Sequence, residues 1–82
     1  MNLIEIVIKS YETGITPSTK YCNDTFCNSC KFSDPCDFLN QHYTDKFRKV
    51  PFFSEAKDYL NQLKSELPPY EELKQQYPEY RL

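Results

Sequence analysis

Four cysteines, Cys22, Cys27, Cys30 and Cys36, stand within fifteen residues in the spacing C-x4-C-x2-C-x5-C, and no cysteine lies elsewhere in the chain. Cysteines that merely fill a core would be scattered among the elements they pack, so the clustering points to joint chemistry. Three kinds compete. Two disulfides are possible, but nothing in the sequence marks secretion, and reducing compartments disfavour structural disulfides. A structural zinc takes four thiolates at about 2.3 Å in a tetrahedron and can fold a connector that has no core of its own. Such sites commonly pair two short spacings, whereas here a single C-x2-C is flanked by spacings of four and five. A 4Fe–4S cluster spreads its iron corners farther apart and suits unequal spacings. Cys27 and Cys30 cover two adjacent corners, and five residues lead on to Cys36. With Cys22 as fourth ligand, the same quartet serves a cluster or, alternatively, one zinc ion.

Helical elements must position these thiols. Asn2 followed by Glu5 is a capping-box pattern. Ile4, Val7, Ile8 and Tyr11 then fall at helical spacing, and Gly14 with Pro17 beyond it predicts the stop, although Ile4, Ile6 and Ile8 also alternate as a strand would. From Thr16 to Pro35 no periodicity is sustained, and the segment reads as a loop that needs an anchor. Ser33 or Asp34 is the expected N-cap of the next helix, with Pro35 at its first position and a stripe of Cys36, Leu39, Tyr43 and Phe47. Cys36 would then sit in a first turn whose dipole and free N–H groups favour thiolate over thiol. Pro51 breaks the chain, and Ser54 is the expected cap of a helix with the stripe Ala56, Tyr59, Leu60, Leu63 and Leu67. Pro68 and Pro69 end it, and Tyr70, Leu73 and Tyr77 predict a short last helix that stops near Pro78. The expected fold is all-α: one domain over residues 1–82, a bundle of three to four helices with a cysteine-rich loop organised by a metal centre.

The stretch from Cys27 to Leu39, with its C-x2-C-x5-C run followed by Asp37 and Phe38, resembles the cluster-binding segment of the WhiB-like family. The resemblance covers these thirteen residues. It implies a small helical protein with a 4Fe–4S cluster held by the matching cysteines, acting in transcription regulation through the primary sigma factor of RNA polymerase, and in some members responding to oxygen or nitric oxide. Other, unrelated iron–sulfur folds share the spacing, so the resemblance implies a cluster more strongly than any one activity.

Composition limits the alternatives. The 82 residues carry ten Lys and Arg against twelve Asp and Glu, a net charge of -2, which supplies no field for nonspecific nucleic-acid or anionic-membrane binding. The longest apolar run falls far short of the roughly 20 residues that span a bilayer, and Glu5 interrupts any signal-peptide core, so a cytoplasmic protein is expected. No enzyme is expected either. His42, the single histidine, has no nucleophile arranged beside it and reads as an exposed helix residue. Lys46, Arg48 and Lys49 read as a solvated helix end, and Glu71 with Glu72 as helix-start charges. Phe47, Val50, Phe52 and Phe53 bracket Pro51 either as core packing, the simpler expectation in so small a domain, or as an exposed wedge. Seven tyrosines are many for this length, and Tyr70, Tyr77 and Tyr80 sit on a proline-bounded tail. Phe52, Phe53, Tyr70 and Tyr77 are therefore the candidate partner-binding residues, because aromatic side chains give large contact area at low entropic cost. The function expected is a redox-responsive regulatory or adaptor module; the alternative is a zinc-stabilised interaction module, such as an accessory subunit or a viral inhibitor of a host protein.

Overall fold

Asn2 accepts a hydrogen bond from the Glu5 amide at 2.9 Å, which satisfies one of the free donors that open the first helix. A computed structural model describes residues 2–16 and 19–80, without the side chains of Thr19 and Lys20. Within it, α1 runs over Leu3–Thr13, α2 over Thr19–Asp24, α3 over Ser33–Phe47, α4 over Phe53–Glu66 and α5 over Tyr70–Gln76. Single 3-10 turns occur at Cys27–Ser29 and Pro78–Tyr80, and no strand is present among the described residues. Gly14 takes the left-handed φ of 68° and its N–H closes on the Ser10 carbonyl at 3.0 Å, as the sequence predicts. Pro17 lies outside the described residues.

The helix α1 is the centre of the bundle and packs against α3, α4 and α5. Ile6, Val7 and Ile8 are all fully buried, three consecutive positions that point in three directions. The one-sided stripe expected from Ile4, Val7, Ile8 and Tyr11 is therefore corrected: Ile4 is half-buried and Tyr11 exposed, because a helix covered on several sides has no wide polar face. That all-round burial is also why the β-branched residues mimic a strand's alternation. The helix α4 follows its predicted stripe, with Ala56, Tyr59, Leu60 and Leu63 buried. Phe32 and Leu39 bring α3 into the same core, and Leu73 brings α5.

Three further expectations change. The connector is not a loop throughout, since α2 and a 3-10 turn occupy much of it. Elements this short lie below the length at which isolated helices nucleate, so packing holds them and no periodicity reveals them. At α3 the N-cap is Phe32, whose carbonyl accepts from Cys36 N at 2.8 Å, rather than Ser33 or Asp34. At α4 the cap position is Phe52, not Ser54. There the Glu55 carboxylate reaches back to the Phe52 amide at 3.3 Å while holding Lys49 Nζ at 2.7 Å. Glu55 is accordingly held below the usual carboxylate range, first by its hydrogen bond to Lys49.

Core packing around Pro51 is also overturned, because Val50 is 77% and Phe52 75% exposed, and Phe47 and Phe53 are exposed too. The α3–α4 turn pivots at Arg48, a non-glycine residue at φ 53°, and projects these side chains away from the core. No helix among the described residues is long and apolar enough to cross a membrane.

Candidate metal centre

Three pieces of local structure deliver the thiols. Cys22 comes from the last turn of α2, Cys27 opens the 3-10 turn, Cys30 follows it, and Cys36 lies in the opening turns of α3. The turn is closed by Ser29 N donating to Phe26 O at 3.0 Å and Cys30 N to Cys27 O at 3.2 Å. Ser33 N then donates to Cys30 O at 3.2 Å and carries the chain straight into α3. This tight sequence of turns brings Cys27, Cys30 and Cys36 to one side. On the other side the left-handed Gly14 ends α1 and places Ile15 on the same wall.

All four cysteines line one pocket of about 390 Å³, counting the part open to solvent, together with Ile15, Tyr21 and the buried Phe32. The walls are mainly apolar. Cys27 is exposed, while Cys22, Cys30 and Cys36 are half-buried, and all four thiols are free. Two polar side chains touch the sulfurs. The Tyr21 hydroxyl is 3.5 Å from Cys30 Sγ, and Asn40 Nδ2 donates to Cys36 Sγ at 3.8 Å. Donors of this kind orient sulfur ligands and tune a bound metal. The hydrogen bond to Cys30 raises the Tyr21 hydroxyl above its ordinary pKa, with burial second.

Cys36 departs from its expected chemistry. Its thiol is pushed up to about 11, first by burial and then by the charges of Cys22, Asp37, Cys27 and Cys30. The N-terminal turn of α3 does not win, because burial and the nearby acids outweigh it. Each of the other three cysteines adds to that upward push on Cys36. Four thiolates crowded into an apolar pocket repel one another, so only a cationic centre can keep them deprotonated together.

Among the described residues, no three or more Cys, His, Asp or Glu side chains are close enough to hold a single metal ion. The quartet lines one pocket without forming a metal-binding group, so the metal-organised loop expected from the sequence is not shown. His42 does not line the pocket; it is half-buried and stacks on Tyr59 with centroids 5.8 Å apart.

The candidate partner-binding residues separate into two places. Phe52 and Phe53 stand exposed at the α3–α4 turn. Tyr70 is half-buried and stacks on Tyr11 at 5.1 Å, and Tyr77, also half-buried, stacks on Tyr80 at 6.0 Å. Sequence reasoning missed Tyr21 and Asn40 as neighbours of sulfur. Asn40 was within its reach, one helical turn after Cys36, whereas Tyr21 depends on a helix that no pattern announces. No protein-family model, curated protein or solved structure matches the chain.

Proposed function

We propose that the chain is a small, non-enzymatic iron–sulfur adaptor in which Cys22, Cys27, Cys30 and Cys36 hold a 4Fe–4S cluster, and in which the state of that site governs binding to a protein partner. One observation carries the reading: four cysteines from three local elements line a single, mainly apolar pocket. The unequal spacings of four, two and five residues between these cysteines suit the spread corners of a cluster.

The cluster would supply the positive charge that the thiolates need. The chain's own residues do the rest. Phe32 and Ile15 shield the site from water, Tyr21 and Asn40 present polar hydrogens to sulfur, and the cysteines tie α2 and the 3-10 turn to the head of α3. Loss of the cluster would free the four cysteines and leave the connector without its cross-link. The head of α3 then loosens, and α3 is the helix that leads to the exposed aromatic turn with Phe52 and Phe53. Tyr70 and Tyr77 extend the proposed partner surface along the tail. A partner in the transcription machinery, such as a sigma factor, is suggested by the resemblance of Cys27 to Leu39 alone.

Purification without air tests the reading. The expected product is brown and carries iron and acid-labile sulfide in equal amounts at the cluster's stoichiometry. A colourless protein with one zinc per chain would overturn the cluster in favour of a structural zinc module.

A further inference from the structure

A second cleft lies between α3 and α4 and shares no lining residue with the thiol pocket. It measures about 490 Å³, counting the part open to solvent, and is lined by Tyr43, Phe47, Glu55, Asp58, Tyr59 and Gln62. Three of these form an aromatic corner. Tyr43 and Phe47 each meet Tyr59 edge-on, at 84° and 89°, with centroids 5.5 and 5.8 Å away, and they approach each other at 4.6 Å. Rings set at right angles present their faces in different directions, so a cation at the corner meets more than one negative face.

The chain already sets a cation against two of these rings, from a residue that does not itself line the cleft. Lys46 Nζ lies 5.4 Å from the Phe47 centroid and 5.7 Å from that of Tyr59. Lys46 is exposed and forms no salt bridge among the described residues, so the rings alone hold it and a competitor can displace it. The polar rim is not used up either. Glu55 is committed to Lys49 and the Phe52 amide, but Asp58 is exposed and pairs with nothing among the described residues. The Tyr59 hydroxyl is buried without a hydrogen-bond partner.

We propose that this cleft binds an alkylammonium group, the side chain of a lysine on the protein partner, which displaces Lys46 from Phe47 and Tyr59 and pairs with Asp58. An aromatic corner and a spare carboxylate beside it are what such a ligand requires, and Lys46 shows that the rings accept an ammonium. The inference rests on the proposed function only for who supplies the ammonium. It does not depend on the metal, so failure here leaves the cluster reading intact, and the reverse holds.

The full chain is titrated with Nα-acetyl-lysine methylamide, with its Nζ-trimethyl form and with its neutral Nζ-acetyl form, while the ring resonances of Tyr43, Phe47 and Tyr59 are followed by NMR. Both cationic probes shift these signals in a saturable way and the neutral one does not. Tighter binding of the trimethyl form identifies a methylated lysine as the source, and tighter binding of the plain form an unmodified one. Phe47→Leu weakens binding about three- to tenfold, the worth of one partly desolvated cation–ring contact. Asp58→Asn weakens it and flattens its salt dependence. Lys46→Gln tightens it, because the internal competitor is gone, and a merely structural role for Lys46 would not have that sign. Equal shifts from the neutral probe, no saturable shift from either cation, or weaker binding in Lys46→Gln would each overturn the proposal.

Discussion

Cys36, as a proposed metal ligand, is under two opposed demands. A metal ligand must be a thiolate, yet burial and the neighbouring acids push this thiol up to about 11 from 9.0. In the metal-free protein it is therefore a protonated, slow nucleophile, while Cys27 is exposed to solvent. Alkylation by iodoacetamide, resolved by mass spectrometry, will modify Cys27 well before Cys36 at mildly alkaline pH, and the Cys36 rate will climb only as pH approaches 11. The same shift sets the sign of a stability change. The folded chain keeps a proton on Cys36 that the unfolded chain releases, so the contribution is complete below pH 9 and is lost as pH rises from about 9 to about 11. Urea melts of the metal-free protein across that window will show falling stability. A flat profile would mean that Cys36 is not buried among its fellow thiols. At this scale the spacing made legible that the four thiols belong together, and they do line one pocket. The raised pKa was not legible, since it depends on which other acids the fold brings near.

Among the helices, local signals were read best where one residue settles the geometry. Asn2 and Gly14 bound α1 as their types require, and nothing lies within 4 Å of a Cβ added at Gly14. Replacing Gly14 therefore tests backbone conformation with no steric contribution. Gly14→Ala should cost about 1 kcal/mol, because an alanine is forced into the left-handed region. Gly14→Asn should cost distinctly less, since asparagine tolerates that region. Thermal melts of the two variants give the comparison, and equal losses would argue against the left-handed cap. Ile15, the next residue, forms part of the thiol pocket wall, so a disturbed cap also reaches the proposed site. The pattern was misleading where tertiary cover decides. Ile6, Val7 and Ile8 have no exposed face to generate a clean stripe, α2 is too short to show one, and the apolar run around Pro51 looks like core although Arg48 turns it outward.

For the molecule as a whole, the decisive quantity is how little core it has. Ten hydrophobic residues are buried among those described, and the Cα radius of gyration is 12.3 Å, near the roughly 12 Å expected of a compact chain this long. A domain of this size rarely exceeds about 3–5 kcal/mol of stability from one core. The tail is part of that core. Leu73 is buried, Tyr70 stacks on Tyr11, and the Tyr80 hydroxyl accepts a hydrogen bond from Asn2 Nδ2 at 2.7 Å, which joins the two ends of the described chain. Leu73→Ala should cost about 2–4 kcal/mol, comparable to the whole stability of the metal-free protein. That variant is expected to be largely unfolded at 25 °C after chelation, by circular dichroism, and to regain helix when the proposed iron–sulfur site is reconstituted without air, because a centre held only by the folded chain shifts the equilibrium toward it. Phe52→Ser, on an exposed side chain, should leave both states as stable as the parent. If the chelated Leu73→Ala protein stays fully helical, the bundle does not need a staple, and any metal at the cysteines would then serve signalling alone.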